Sequence, residues 1–357
     1  MSDSFTTSEL ITATQQVFKF NPLFLKLFFR ETYTFTSEEV FLDKIPGKVN
    51  MAVYCAPMIT GKVDRTRGYS TNHFKPGYTK PKHTINPNMS IKRAAGEQIG
   101  QPETPVERRA KIIMQNLLDE ELSISQLEEF QAVQAVLYGK YTVSGSNIET
   151  YEIDMSRSAT NNVTQSGSTA WSTQDAETYD PSDDIESYAD LASGAVNVII
   201  MDGKAWKQLK RFKKFWTALD TRRGSNSQLE VALKNLGDVV SFKGYYGDTA
   251  LFVYKGQYLD PVTDTETRYM PDNTMILGNT KNRGLRTYGA IQDEDALKEG
   301  ISEATRYPKV WTTTGDPAVT QTMTQSAPAM VLTDADAFVV VKNRVRVERL
   351  FFVKEST

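Results

Sequence analysis

Residues 104–139 read TPVERRAKIIMQNLLDEELSISQLEEFQAVQAVLYG, and this stretch decides the fold. Thr104 precedes Pro105, and Glu107 lies three residues after Thr104, which is the pattern of a capping box with proline at the first helical position. No further proline or glycine occurs before Gly139, a residue typical of the position that follows a helix. The pattern therefore predicts one uninterrupted helix over 105–138.

The predicted helix is unusually long. Its 34 residues would extend about 50 Å at 1.5 Å per residue, whereas globular helices commonly have ~10–14 residues. Such a helix either braces a large flat unit or enters a coiled coil. The apolar stripe drifts around the helix and is interrupted by Glu120 and Glu121, so the coiled coil is the weaker interpretation. The apolar positions at helical spacing are Val106, Ala110, Ile113, Leu117, Ile124, Leu127 and Val133.

The chain before this helix does not have the pattern of a compact domain. Residues 1–20 could form a short helix, which Asn21-Pro22 would end. From Thr32 to Val53 the sequence is rich in β-branched and aromatic residues, which favours extended structure. Repeated prolines and glycines follow, so we expect a long excursion of strands and turns.

The charge of this extended part of the chain is strongly positive. Between Lys44 and Arg93 there are ten lysines and arginines and a single acid, Asp64. A long basic loop that cannot bury itself should rest against another surface, although a simply solvated loop is the plain alternative.

After the long helix the sequence predicts a hairpin, then a polar loop over 156–174, then a compact α/β unit. Residues 175–190 contain seven acids and no base, which suits a helix N-terminus or a partner for the basic loop. The predicted hairpin strands are Tyr141–Val143 and Tyr151–Met155. In the α/β unit we expect strands at 196–201, 239–245, 250–254 and 275–277 and helices at 203–219 and 226–236. Residues 300–350 have extended, β-branched character.

Composition limits the classes of function. With 357 residues, 39% of them hydrophobic and 24% charged, the chain should form two or three globular units. Its net charge of −3 does not support nucleic-acid binding through bulk charge. The apolar stretch from Leu23 to Phe29 contains Lys26 and is too short to span a bilayer, and no signal-peptide pattern is present. We therefore expect a soluble protein that remains in the cytoplasm.

Catalytic and metal-binding patterns are missing from the sequence. There is no phosphate-binding glycine loop, dinucleotide fingerprint or nucleophile elbow. The single cysteine, Cys55, lies in an apolar run and is predicted to be an inert thiol. His73 and His83 are predicted to be surface or interface residues, and the acidic run lacks calcium-loop spacing. The sequence thus predicts neither an enzyme nor a cofactor.

One basic segment leaves an alternative open. Residues 203–219 combine six lysines and arginines with four aromatic residues. An amphipathic helix with its aromatic side chains inward is the favoured interpretation. Nucleic-acid binding is the alternative, and it predicts salt-sensitive DNA binding by the isolated subunit.

Long runs of the chain resemble the lambda-like major capsid protein family of tailed bacteriophages. The runs cover most of the sequence in order and are far longer than generic motifs. They are FKFNPLFLKLFFRETY (18–33), IPGKVNM (45–51), PGYTKPKHTINPNM (76–89), KIIMQNLLDEEL (111–122), DPSDDIESY (180–188), DTRRGSNSQL (220–229), PDNTMILGNT (271–280), RGLRTYGAIQD (283–293) and RYPKVWTTTGDP (306–317). Residues 260–269 and 342–357 depart from the family pattern.

The resemblance implies an α+β, Hong Kong 97-like capsid fold. It implies an N-terminal arm over 1–48 and an extended loop over 49–100 that overlaps a neighbouring subunit. A peripheral domain over 101–184 would contain the long spine helix (104–138) and the hairpin. An axial domain would follow over 185–300, and 301–357 would supply the returning peripheral strands and a C-terminal tail.

The resemblance also implies partners and a location. The subunit would form hexamers and pentamers of an icosahedral head that holds double-stranded DNA without sequence-specific contact. Further partners would be a decoration protein at three-fold positions, a portal and a scaffolding protein. The protein would be made and assembled in the host bacterial cytoplasm and end in the virion.

We expect the basic loop of one subunit to contact carboxylates of the next. Many weak ion pairs of this kind suit assembly, since misplaced subunits can then leave. The cations are Lys62, Arg65, Arg67, Lys75, Lys80, Lys82 and Arg93. The candidate acids are Asp183, Asp184 and Glu186 of the acidic run, and Asp119, Glu120 and Glu121 of the long helix.

Overall fold

The computed structural model describes residues 20–44, 58, 70–92, 103–145, 148–219, 239–281 and 284–343. The helices in these ranges are α1 Leu23–Phe28, α2 Pro87–Ile91, α3 Pro105–Tyr138, α4 Ser182–Ala189, α5 Gly203–Lys210, α6 Lys213–Ala218 and α7 Glu294–Lys298. The strands are β1 Phe29–Thr34, β2 Val40–Lys44, β3 Ser70–Phe74, β4 Lys82–Ile85, β5 Lys140–Gly145, β6 Ile148–Asp154, β7 Asn162–Gln165, β8 Val198–Met201, β9 Val240–Tyr246, β10 Thr249–Tyr254, β11 Gln257–Leu259, β12 Glu266–Arg268, β13 Thr274–Gly278, β14 Gly284–Tyr288, β15 Tyr307–Thr312, β16 Thr320–Gln325, β17 Pro328–Leu332 and β18 Val339–Asn343.

The spine helix α3 has the predicted ends. The Thr104 hydroxyl accepts the backbone N–H of Glu107 at 3.3 Å, and the Glu107 carboxylate accepts the backbone N–H of Thr104 at 2.8 Å. At the other end Gly139 adopts φ 69°, and its N–H bonds to the carbonyl of Ala135 at 2.9 Å. Both ends are therefore closed by local contacts, which confirms the predicted helix.

A six-stranded sheet in the order β7-β18-β13-β8-β10-β9 separates two apolar layers. Its strand β8 alternates between them: Val198 and Ile200 pack with α1 and the second half of the spine, whereas Ile199 and Met201 pack under α4, α5 and α6. The burial of both faces explains why the central strands are almost wholly apolar.

Two three-stranded sheets lie against the spine and bring distant segments to it. Strands β1, β14 and β17 form one, and β15, β16 and β4 form the other. Contacts of α3 with β16 and β17 join both sheets to the helix. The β2–β3 pair forms an antiparallel ladder in which Lys44 lies opposite Ser70. Strands β5 and β6 form the predicted hairpin directly after the spine.

The predicted strands at 196–201, 239–245, 250–254 and 275–277 are confirmed as β8, β9, β10 and β13. The prediction of a single helix over 203–219 is wrong, because Phe212 is extended between α5 and α6. Its buried ring packs against Trp171 and Tyr179, at centroid distances of 6.3 and 5.4 Å, and this tertiary contact outweighs helix continuity.

The polar stretch 156–174 was expected to be a loop only, but it also contributes β7 to the six-stranded sheet. The pairings of two strands cross the domain boundaries that the resemblance implies: β14 lies within 185–300 and β18 within 301–357. β14 pairs with β1 and β17, and β18 pairs with β13 and β7. The predicted helices within 1–20 and 226–236 and the end of the chain after 343 lie outside the described residues, apart from Phe20.

Candidate assembly interface

The spine helix is buried over one half of its length and exposed over the other. Ala132, Val133, Ala135, Val136 and Leu137 are fully buried in the core. In the first half, by contrast, Val106, Met114 and Leu118 are 76%, 62% and 52% exposed. These three positions and the exposed Ala110 recur every four residues and so form a stripe on one side of the helix. We call this set of four residues the spine stripe.

More exposed apolar side chains lie beside the start of the spine. Met89 and Ile91 of α2 are exposed, and α2 packs against α3, where Arg108 donates to the Ile91 carbonyl at 3.1 Å. A groove of about 420 Å³ runs between α2, the first turn of α3 and strands β15 and β16. Its lining includes Ile85, Pro87, Ile91, Pro105, Val106 and Ala318. Exposed apolar surface of this kind is typical of a surface that another molecule covers.

Buried carboxylates fix the spine to the sheets. Glu120 is fully buried and accepts the hydroxyls of Thr322 and Thr324 at 2.7 and 2.9 Å. Its Oε1 also lies 3.0 Å from Nδ1 of His83 on β4. A buried carboxylate is tolerated where its oxygens are fully hydrogen-bonded, as they are here. Glu120 thereby holds the β15-β16-β4 sheet against the helix.

Glu128 and Glu129 make similar attachments further along the helix. Glu128 lies 2.7 Å from the Arg306 guanidinium and accepts the Tyr288 hydroxyl at 2.9 Å. Glu129 accepts the Tyr254 hydroxyl of β10 at 3.2 Å and two backbone N–H groups at the start of α1. One helix thus holds three sheets and the short helix α1.

The structure describes three of the seven predicted contact cations. Lys75 pairs with Glu38 across the base of the β2–β3 hairpin. Lys80 lies 4.9 Å from the Tyr78 ring centroid, and Lys82 lies 5.2 Å from that of Trp311. All three are exposed. Lys62, Arg65, Arg67 and Arg93 lie outside the described residues.

The predicted acids divide into exposed and buried groups. Asp119 and Glu121 on the spine and Asp183 and Glu186 on α4 are exposed. Asp184 accepts the Trp171 indole N–H at 2.7 Å and the Tyr179 hydroxyl at 2.5 Å, so it is engaged within its own chain. The prediction that Glu120 contacts a neighbouring subunit is wrong. Its side chain is fully buried and accepts the hydroxyls of Thr322 and Thr324 in its own chain.

His83 was predicted only as a surface or interface residue, and its bond to Glu120 was not foreseen. Glu120 and Thr322 lie 202 positions apart, and no local pattern in the sequence links them. The alternation of Thr320, Thr322 and Thr324 along β16 is the one available signal, because it places hydroxyls on a single face of the strand.

Within the described ranges, no group of three or more His, Cys, Asp or Glu side chains could hold a metal ion. The helices in these ranges also include none that is long and apolar enough to cross a membrane. The described surface offers an apolar stripe on the spine, a groove beside its first turn, and exposed charge on the spine and on other elements.

Residues 6–343 match the family model described as phage major capsid protein E. The chain belongs to this capsid protein family. It is 56% identical to the major capsid protein of Escherichia phage lambda and 57% identical to that of Escherichia phage N15, in each case over 95% of this chain and 98% of the relative. A crystallised prophage protein of E. coli CFT073, described as a capsid protein, is 43% identical, with a TM-score of 0.76 over 92% of this chain and 94% of its own.

The predicted α+β, Hong Kong 97-like capsid fold is confirmed. As a major capsid protein the chain is a structural component of the phage head and not an enzyme. It assembles with copies of itself into the capsid shell, and its location is the virion. The long spine and its three sheets are therefore the framework of a shell subunit.

Proposed function

We propose that this capsid protein assembles by overlap, with the loop of one subunit laid across the spine of the next. The exposed spine stripe carries the proposal. The first half of this helix presents Val106, Met114 and Leu118 to solvent, so covering it with another chain is favourable, because apolar surface leaves water. The free subunit contains a surface that is completed only in an assembly.

The occupant of this surface is the segment 45–69 of a neighbouring subunit. In sequence it is a run of apolar residues with interspersed cations, and the β2–β3 ladder holds both of its ends together. Ordering a free loop costs about 1–2 kcal/mol per residue. Such a loop is therefore stabilised best by a second surface that buries its apolar side chains.

Charge supports the same contact. Asp119 and Glu121 are exposed on the spine directly after Leu118, while Lys62, Arg65 and Arg67 belong to the loop. Each exposed ion pair contributes only about 0.2–1 kcal/mol, so apolar burial supplies affinity and charge supplies register. For the rest of the basic segment, reversing the charges of Lys80, Lys82 and Arg93 together is expected to block the formation of closed shells while the monomer stays folded.

Hexamers and pentamers of an icosahedral head that encloses double-stranded DNA follow from the resemblance to lambda-like capsid proteins. The arm (1–48), loop (49–100), peripheral domain (101–184 with 301–357) and axial domain (185–300) are assigned on the same basis. We take the six-stranded sheet as the core of the axial domain. Its strands β7 and β18 come from outside the range 185–300 that the resemblance implies for this domain. A scaffolding protein, a portal and a decoration protein at three-fold positions are the proposed partners, and the host cytoplasm is the proposed place of assembly.

The experiment replaces the three large residues of the spine stripe by helix-compatible polar residues: Val106→Gln, Met114→Gln and Leu118→Gln together. The full chain is expressed alone and with the scaffolding protein of its phage, then examined by negative-stain electron microscopy. We expect closed shells from the parent and dispersed, folded subunits from the triple variant. Val262→Gln, at an exposed apolar residue in the loop after β11, is the matched control.

Shells of normal yield from the triple variant would overturn overlap on the spine. A parent chain that forms neither shells nor rings in either expression would overturn assembly itself. Circular dichroism of each variant separates a lost contact from a lost fold, because α3 is the longest helix in the described chain.

A further inference from the structure

The β2–β3 ladder connects the basic loop to the body of the subunit. It starts at the pair Val40 and Phe74 and ends where Lys44 lies opposite Ser70. Val40 is fully buried, and Phe74 packs against the core. This pair fixes where the ladder begins, but a single anchored pair leaves its direction open. The direction depends on what the chain contacts directly before β2 and directly after β3.

The chain before β2 is held by the sheet that contains β14. The N–H of Phe35 donates to the Tyr288 carbonyl at 2.9 Å. The N–H of Ala290 donates to the Ser37 carbonyl at 3.2 Å. These bonds continue the pairing of β1 with β14. One strand of the ladder therefore starts from a fixed sheet.

The chain after β3 is held by a different element, the β5–β6 hairpin. The Tyr151 hydroxyl donates to the Lys75 carbonyl at 2.7 Å. Gly77 packs so closely on the hairpin that a Cβ there would lie 2.8 Å from Cγ1 of Val143. Val143 and Tyr151 lie directly opposite each other in the hairpin, so their side chains share one face. This cross-strand pair is the surface on which the chain after β3 rests.

The hairpin is itself attached to the end of the spine. The next pair on the same face, nearer its base, is Tyr141 opposite Ile153, and both are buried in the core. Directly after β6, the N–H of Met155 donates at 2.9 Å to the carbonyl of Gly139, the residue that ends the spine. One face of the hairpin thus enters the core at its base and contacts the ladder base further out.

An open cleft beside this contact leaves the ladder room to move. It has a volume of about 420 Å³ and lies between the ladder base, the hairpin tip and the segment after β14. Its lining includes Glu38, Lys75, Ile148, Glu149 and Gln292. Because no side chain fills this space, packing on its side does not fix the ladder. The contact with Val143 and Tyr151 is left to do so.

We propose that Val143 and Tyr151 position the β2–β3 ladder and so set the direction in which the basic loop leaves the subunit. The inference rests on the overlap proposed above, and it names the element that directs the loop toward a neighbour. Since the hairpin follows the spine directly, the loop of each subunit is oriented relative to its own spine. Repeated overlap needs this fixed relation, because every subunit both offers a spine and extends a loop.

The test measures the direction of the ladder in the full-length subunit, purified without scaffolding protein and separated from any shells. Spin labels are placed at Ser70→Cys, at the far end of the ladder, and at Ser123→Cys, exposed on the spine. Cys55→Ser removes the single native cysteine. Pulsed electron paramagnetic resonance then gives the distance between the labels, and the parent should show one narrow distribution.

Gly77→Ala should shift this distance. Gly77 is not in the left-handed region, so alanine meets no backbone penalty, and the atoms nearest to the added methyl group all belong to Val143. A valine is stiff at its first side-chain torsion and cannot easily turn aside. Overpacking of this kind is large enough to change an equilibrium by about tenfold. The yield of closed shells formed with the scaffolding protein should therefore fall by about tenfold.

Val143→Ala added to Gly77→Ala should restore both the distance and most of the shell yield. It removes the two γ carbons and leaves a Cβ 4.0 Å from the new methyl group, which is an ordinary contact. The matched control is Gly145→Ala on the same hairpin, where the new Cβ would lie 3.5 Å from Cδ1 of Ile148. This control should leave distance and yield unchanged. Tyr151→Phe removes the hydroxyl that holds the Lys75 carbonyl and should broaden the distribution.

An unchanged distance in Gly77→Ala, or a shifted distance that Val143→Ala does not restore, would overturn the inference. If Gly77→Ala does not fold by circular dichroism, Tyr151→Phe decides instead, and a distribution as narrow as that of the parent would overturn it. Distances that respond as expected while every variant closes shells at parental yield would support the positioning role of the hairpin. They would at the same time contradict overlap as the mode of assembly.

Discussion

The Oε1 atom of Glu129 lies 3.0 Å from the backbone nitrogen of Phe24, whose N–H it accepts. The second oxygen accepts the N–H of Leu25 at 3.1 Å. These are among the N–H groups at the start of α1 that no helical carbonyl can reach, so a spine side chain takes the place of a local cap. With the Tyr254 hydroxyl on the same carboxylate, one buried group joins α1, the spine and the six-stranded sheet.

This contact predicts a pH dependence of stability. Burial raises the pKa of Glu129 to about 7 from an ordinary value of 4.5, although its hydrogen bonds oppose the shift. Between these two pH values the folded chain holds a proton that the unfolded chain has lost. The free energy of unfolding should therefore fall as pH rises from 4.5 to about 7. Urea unfolding of the subunit across this range measures it.

Glu129→Gln is the matched variant, because the amide does not titrate. Its unfolding free energy should vary less with pH over the same window, with Glu31→Gln, at a half-buried position of β1, as the control. An identical pH slope in parent and Glu129→Gln would contradict the assignment.

Adjacent acids on the spine should differ sharply in their effect on stability. Glu120→Ala leaves two threonine hydroxyls and His83 without their acceptor inside the protein, so we expect a loss of about 3 kcal/mol. Asp119→Ala removes an exposed carboxylate whose one bond to a described residue is with Gln115, and it should change stability by less than about 0.5 kcal/mol. Chemical denaturation of both variants decides between burial and surface roles. Equal effects would refute this description of Glu120.

The end of the spine should not tolerate a side chain. A Cβ at Gly139 would lie 2.4 Å from the Cβ of Arg157, and the backbone there has φ 69°. Gly300 has φ 75° but no atom within 4 Å of such a Cβ, so it isolates backbone strain from the clash. We expect Gly139→Ala to destabilise the subunit by at least about 1 kcal/mol more than Gly300→Ala. Thermal unfolding compares the two, and equal losses would contradict a clash at the spine terminus.

The N-cap of α7 should weaken in strong acid, because its residue Asp293 acts as a carboxylate. The Gln325 amide, at 2.6 Å, is the main cause that holds the pKa of Asp293 down to about 2, and Lys309 at 3.1 Å adds to it. The folded pKa is below the ordinary 3.8, so this stabilisation is present above pH 3.8 and is lost as pH falls through about 2. Asp293→Asn should be less stable than the parent at pH 5, with a smaller difference near pH 2. A constant difference measured by denaturation at both pH values would argue against it.

Local rules explain which parts of the fold were predictable. The spine ends are fixed by contacts within four residues, and the strands β8, β10 and β13 are apolar because both of their faces are buried. Strand β7 was not predictable in this way. Its sequence Asn-Val-Thr-Gln is polar, and it becomes a strand only by pairing with β18, far along the chain.

The same limit applies to the interface. A run of acids on a helix is typical of a solvated face, and nothing near Glu120, Glu128 or Glu129 in the sequence announces partners more than a hundred positions away. The exposure of Val106 and Leu118 was equally hidden, since both fit a core-facing pattern at helical spacing. The bias toward cations in 44–93 and toward acids in 175–190 was readable, because charge requires no three-dimensional partner to be counted.

The spine is attached to the rest of the subunit along much of its length. Glu120, Glu128 and Glu129 bind it to the three sheets. In its first half Arg108 donates to the Ile91 carbonyl and Arg109 to the Thr320 hydroxyl, so that half is exposed only on the side that bears Val106, Met114 and Leu118. A displacement of the exposed side is carried along one helix to α1 through Phe24 and to the six-stranded sheet through Tyr254. A neighbour that covers the spine stripe, as proposed above, would therefore act on α1 and this sheet together through a single rigid helix.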